Sequence, residues 1–108
     1  MAFADTLKTL PSVAHLTAIE LIDAASGFPV ARIENKPGQA GSLAVFNHLA
    51  ETFGGITPDA ARRGLEIYAE HTADARANPG KHPNIDRLIA VIATGKALTV
   101  KTTPATKV

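Results

Sequence analysis

The sequence predicts an α+β fold, in which a small antiparallel sheet of three strands packs against about four helices. Two β-favouring segments on either side of a turn at residues 24–27 predict a β-hairpin, and alternation at 98–101 predicts a third strand. Capped segments with apolar residues three and four positions apart predict the helices. The expected order is α-β-β-α-α-α-β, with one domain over residues 1–101 and a flexible tail over 102–108.

The composition excludes several classes of protein. Eleven Lys and Arg against ten Asp and Glu leave a net charge of +1, which does not indicate binding to nucleic acid or to an anionic membrane. The chain has no cysteine, so disulfides and zinc–thiolate sites are excluded. Its longest apolar run, residues 88–93, is far shorter than the roughly 20 residues of a membrane span. The N-terminus does not resemble a signal peptide, and we expect a soluble cytoplasmic protein.

The first third of the chain predicts a short helix and the hairpin. Residues 2–10 place apolar side chains on one helix face, and residues 15–23 and 28–34 form the two strands. Pro29 has no N–H to donate to a neighbouring strand. We therefore expect the second strand at an edge of the sheet, and the C-terminal strand beside the first.

The second helix is predicted from a cap, an apolar stripe and a stop. Ser42 stands where an N-cap belongs, since its hydroxyl can accept a hydrogen bond from the first turn. Phe46, Leu49 and Phe53 are spaced to lie on one face, and we expect all three to be buried. Gly54 ends the helix, because glycine readily adopts the left-handed conformation of a C-cap.

Two further helices follow. The pattern predicts one long helix over residues 58–78, capped by Thr57, with Ile67 outside its apolar face. Gly64 in its middle costs about 1 kcal/mol relative to alanine, which indicates close approach of another element. Asn84 is the predicted cap of the last helix.

Two loops with the dipeptide Pro-Gly precede the predicted helices at 42 and 84, and both are locally basic. Free amides and the dipole at a helix N-terminus favour anions. The sequence therefore suggests anion-binding residues in both loops: Lys36, Gly38, Gly41, Ser42, Lys81 and His82. Neither loop has the P-loop or GxGxxG spacing, and the alternative is that both are ordinary connectors between elements.

Catalytic and metal-binding patterns are not found in the sequence. His71 and Asp74 are three positions apart on a predicted helix, so a carboxylate–imidazole pair is geometrically allowed. No pair of histidines has metal-ligand spacing, and no GxSxG motif surrounds a serine. We predict no catalytic residue, no metal ion and no cofactor.

Two stretches of the sequence resemble a known family. ENKPGQAGSLAVFNHLA and HTADARANPGKHPNIDRL are similar to segments of small bacterial proteins classed as a domain of unknown function. The resemblance extends over nearly the whole chain, from the first strand to the last. It implies a compact cytosolic bacterial protein without an assigned activity, so it supplies no functional residues.

These observations lead to two hypotheses for the function. The first is a small non-catalytic binding or protein-interaction domain, which could be a homodimer. Its contact would be an unpaired strand edge or the small-residue face formed by Ala60, Ala61 and Gly64. The alternative is a binder of small anions or phosphometabolites, either a binding protein or an enzyme, which requires both Pro-Gly loops to line one pocket.

Overall fold

A computed structural model describes residues 2–105 and confirms the predicted α+β fold. The predicted order of elements is also found, with one of the expected helices divided in two. The elements are α1 (Phe3–Leu7), β1 (Leu16–Asp23), β2 (Pro29–Glu34), α2 (Ala40–Phe53), α3 (Pro58–Tyr68), α4 (Glu70–Ala77), α5 (Pro83–Thr94) and β3 (Leu98–Pro104). Over these residues, no helix combines the length and the apolar character that crossing a membrane requires.

The three strands form one antiparallel sheet in the order β2-β1-β3. As predicted, β2 begins at Pro29 on an edge, and the C-terminal strand pairs with β1. The structure extends β3 beyond Lys101, because its pairing with β1 continues until Pro104 lies opposite Leu16. The predicted tail is thus part of the sheet as far as Pro104, and residues 106–108 lie outside the described residues.

Helix α2 packs against the sheet and supplies much of the core. Phe46 and Leu49 are fully buried, as predicted. Phe53 is 38% exposed, so its predicted burial is wrong. It is the last residue of α2, and Gly54 turns the chain with a φ of 79°, so Phe53 stands at the rim of the core.

The predicted long helix is broken at Ala69, which has a positive φ of 51°. At the break, the Leu65 carbonyl accepts a hydrogen bond from the Thr72 hydroxyl at 2.7 Å. In an unbroken helix that carbonyl would accept from the N–H of Ala69, which here bonds to Glu66 instead. Because of the break, the apolar faces of α3 and α4 do not have to follow one continuous helix. Ile67, which was predicted to lie outside the apolar face, is buried, with 1% of its surface exposed.

Gly64 brings α3 close to two other helices, as its position in the sequence indicated. A Cβ atom at Gly64 would lie 2.6 Å from Leu88 Cδ1 on α5 and 2.9 Å from Leu49 Cδ1 on α2. Ala60 and Ala61 are also fully buried. The small-residue face therefore packs inside the chain and is not available as a contact for a partner.

Gly64→Ala is expected to lower the free energy of unfolding by about 1–3 kcal/mol, the usual cost of overpacking a core. The clash outweighs the helix preference of alanine, about 1 kcal/mol, because Leu49 and Leu88 are fully buried and cannot move into solvent. Denaturant unfolding measures the change. Glu66→Ala, at an exposed position of α3, is the control and should stay within about 0.5 kcal/mol. A Gly64→Ala variant as stable as the wild type would contradict this packing.

Candidate functional site

The two Pro-Gly loops meet at one cavity of about 370 Å³, beside the N-terminal ends of α2 and α5. We call it the two-loop cavity. Five of the six residues that the sequence suggested line it: Gly38, Gly41, Ser42, Lys81 and His82. Two segments that are distant in the chain thus contribute to a single concave surface.

Lys36 is the suggested residue that does not line the cavity. It lies two residues after the end of β2, and its ammonium is 3.4 Å from the Glu34 carboxylate. Both side chains are about half exposed. Lys36 therefore forms a surface ion pair beside the loop.

Helix α2 begins three residues earlier than predicted, since its N-cap is Gln39 and not Ser42. Ala40 is its first residue, and Ser42 lies within the first turn rather than at the cap. The N-cap Gln39 makes no side-chain cap, because its amide oxygen accepts from the N–H of Glu34 at 2.9 Å. Among the described residues, the N–H groups of Gly41 and Ser42 have no hydrogen-bond acceptor. Both residues line the cavity.

Helix α5 begins in a similar way. Pro83 is its first residue and His82 its N-cap, so the predicted cap Asn84 lies inside the helix, where its side-chain oxygen accepts from Arg87 at 2.6 Å. Within residues 2–105, the N–H groups of Asn84 and Ile85 also bond to no acceptor. Two helix N-termini with free amides therefore border the same cavity, and both dipoles favour a negative charge there.

Asp74 holds the second loop in place from α4. Its Oδ2 accepts from His82 Nε2 at 2.7 Å and from Lys81 Nζ at 3.0 Å. The hydrogen bond from His82, followed by that from Lys81, lowers the pKa of Asp74 to about 2. The carboxylate is therefore ionised at neutral pH, and the Nε2 atom of His82 carries a proton toward it.

The sequence allowed Asp74 to pair with His71, but the structure pairs it with His82. His71 lies at the start of α4, directly after the break at Ala69, and its ring packs against two other rings. The centroid of the His71 ring lies 5.3 Å from that of the Phe3 ring, in a T-shaped arrangement, and 5.6 Å from that of the His82 ring.

An aromatic wall completes the cavity, and sequence reasoning missed it. Phe3 from α1 stacks on Tyr68 with the centroids 5.1 Å apart and the planes at 22°. Phe3, Tyr68 and His71 all line the cavity. The spacing of residues 2–10 predicted a helix face at Phe3, but no local signal shows which element that face covers.

Tyr68 links the aromatic wall to the first loop. It is 4% exposed, and its hydroxyl donates to Ser42 Oγ at 2.6 Å. Burial raises the pKa of Tyr68 to about 12, so the phenol stays neutral and continues to donate. Ser42 accepts this bond and keeps its own hydroxyl proton to donate elsewhere.

The cavity offers hydrogen-bond donors at the N-termini of both helices and a cation on the second loop. The donors are the four free amides, the Ser42 hydroxyl and the Lys81 ammonium, a combination suited to a phosphate or carboxylate group. Among the residues that the structure describes, no three His, Asp or Glu side chains are placed to hold a metal ion.

Asp74→Asn is expected to destabilise the protein at neutral pH, because it weakens two charge-assisted hydrogen bonds. A carboxylate whose pKa is lowered from 3.8 to about 2 stabilises the fold above pH 3.8 and loses this contribution as the pH falls toward 2. The difference in unfolding free energy between wild type and variant should therefore shrink over this window. Denaturant unfolding at a series of pH values measures it.

Asp59→Asn is the matched control, since it removes the same charge from the exposed pair with Arg62 and should change stability by less than about 1 kcal/mol. A deficit in Asp74→Asn that is constant from neutral pH down to 2 would contradict the assignment of Asp74 as an ionised anchor.

Comparison with known proteins identifies the family. A search of curated proteins and a search of solved structures both give no match to the chain. A family model described as "Uncharacterized protein conserved in bacteria (DUF2322)" matches residues 3–102. This match takes in every element of the fold except the last two residues of β3, and it confirms the resemblance seen in the sequence. The chain belongs to this bacterial family of uncharacterised proteins.

Proposed function

We propose that the protein binds a small anion, the phosphate or carboxylate group of a metabolite, in the two-loop cavity. One observation carries the proposal: two Pro-Gly loops that are distant in sequence line one cavity together with the free amides of two helices, and the second loop adds the cation of Lys81. A volume of about 370 Å³ lies in the range of small-molecule sites, roughly 300–1,000 Å³.

The anion would be held mainly by backbone amides whose positions are fixed before it binds. The amides of Gly41, Ser42, Asn84 and Ile85 belong to helices anchored in the core, since Leu43, Phe46 and Leu88 are fully buried. Such donors lose little freedom on binding. Lys81 is different, because its ammonium is exposed and can reach an anion by leaving Asp74.

Asp74 limits the affinity of the proposed site for an anion. Its negative charge offsets that of Lys81 and opposes the approach of an anion. It also fixes His82 at the end of α5. We expect binding that weakens as the ionic strength rises, because salt screens the attraction between the anion and the exposed Lys81 side chain.

The test is a titration with inorganic phosphate and sulfate at low ionic strength, followed by thermal unfolding and by intrinsic fluorescence. Tyr68 is the only tyrosine and the chain has no tryptophan, so the fluorescence reports on the cavity wall. At a hundred times its dissociation constant, the anion should raise the free energy of unfolding by about 2.7 kcal/mol.

Lys81→Met should weaken binding by about tenfold, as expected for the loss of one charge-assisted hydrogen bond of roughly 1.5–3 kcal/mol. Lys101→Met is the matched control, because it makes the same change in net charge on β3, outside the cavity. Equal weakening in both variants would show only general charge attraction. No saturable response of the wild type to either anion would refute the proposed function.

A protein-interaction function is the second candidate, and one observation favours it. Phe28 and Val30 are 71% and 49% exposed. Phe28 directly precedes β2, an edge strand of the sheet, and Val30 is its second residue. An exposed edge with apolar side chains can pair with the same edge of a second copy. A homodimer of this kind would resemble an extended six-stranded sheet.

Sedimentation at increasing protein concentration tests for the dimer, and Phe28→Ser should shift the equilibrium toward the monomer. Phe53→Ser, which removes another exposed phenylalanine at the end of α2, is the control. A monomer at every concentration, or equal effects of the two substitutions, would exclude a contact through β2.

A further inference from the structure

The aromatic wall of the two-loop cavity is accessible to a ligand. Phe3 and His71 are only partly buried, and α1 contains no buried residue at all. Phe3 uses one face to stack on Tyr68, and it also lines the cavity. The phenyl ring is thus fixed on one side and available on another.

The aromatic wall lies directly beside the free amides of α2. A Cβ atom placed on Gly41 would be 3.6 Å from the Phe3 ring and 3.5 Å from Leu7. Helix α1 therefore crosses over the first turn of α2, and a ligand bound to the amides of Gly41 and Ser42 would be within reach of the Phe3 ring.

The cavity is also larger than a single oxyanion. About 370 Å³ gives room for on the order of ten water molecules at their share of liquid volume, whereas a phosphate group fills only a few. An organic group attached to the anion would occupy the remaining space, against Phe3 and His71.

We propose that the ligand is an anionic group carried on a flat aromatic or heteroaromatic ring, with the anion at the two loops and the ring against Phe3. This inference rests on the proposed anion-binding function and narrows it to a class of ligand. Phe3 stacks on Tyr68 and makes a T-shaped contact with His71. These contacts orient its ring before a ligand binds, so a ligand ring that packs on it adds affinity at little entropic cost.

Calorimetric titration with phenyl phosphate and methyl phosphate tests the inference. The two esters carry the same charged group and differ only in the ring. The wild type should bind phenyl phosphate about tenfold more tightly, as expected for one stacked ring. In Phe3→Leu, which keeps an apolar side chain without the ring, this advantage should fall toward onefold, whereas Phe3→Tyr should retain it.

The outcomes separate this inference from the function on which it rests. Equal affinities of the wild type for the two esters would overturn the ring preference and leave anion binding intact. An unchanged preference in Phe3→Leu would also overturn it, because the ring would then bind elsewhere. If neither ester binds, both proposals fail. Comparison of the two esters in the wild type decides the question even if Phe3→Leu does not fold.

Discussion

The close contact of α3 with α2 and α5 at Gly64 is the constraint on which the rest of the structure depends. The position has no side chain, so Leu49 from one neighbour and Leu88 from the other reach the α3 backbone. Helix α3 thereby acts as a shared support for both. Because α2 packs on the sheet and α5 does so far less, α3 determines where α5 lies and where its N-terminus opens. The cavity is a consequence of this three-helix packing.

Features that depend on neighbouring residues in the chain could be predicted from the sequence. Thr57 caps α3 by accepting from the N–H of Ala60, and Gly54 closes α2 in the left-handed conformation. Pro29 correctly indicated an edge strand, since a missing N–H acts locally whatever the fold. The anion-binding hypothesis requires the two loops to line one cavity, and they do so in the structure.

Features that depend on distant partners could not be predicted. At the break at Ala69, the Thr72 hydroxyl bonds to the Leu65 carbonyl, and the neighbouring Tyr68 donates to Ser42 on another helix. The same bond accounts for the wrong prediction of Ser42 as an N-cap. Its hydroxyl accepts from the Tyr68 phenol and not from an amide in the first turn of its own helix. Asp74 pairs with His82 through a loop conformation that spacing along a helix does not reveal. Phe3 is an ordinary apolar residue in the sequence, and only the tertiary fold places it at the cavity.

The conformation of Ala69 links the stability of the protein to the shape of the site. A non-glycine residue with positive φ is strained by about 1–3 kcal/mol, and here the strained residue stands between Tyr68, which faces Ser42, and α4, which carries His71 and Asp74. A straight helix through this point would be easier to form but would direct these side chains elsewhere. The strain at Ala69 thus lowers the stability of the fold and at the same time gives the cavity a defined shape. Such a compromise is common where function and maximal stability favour different geometries.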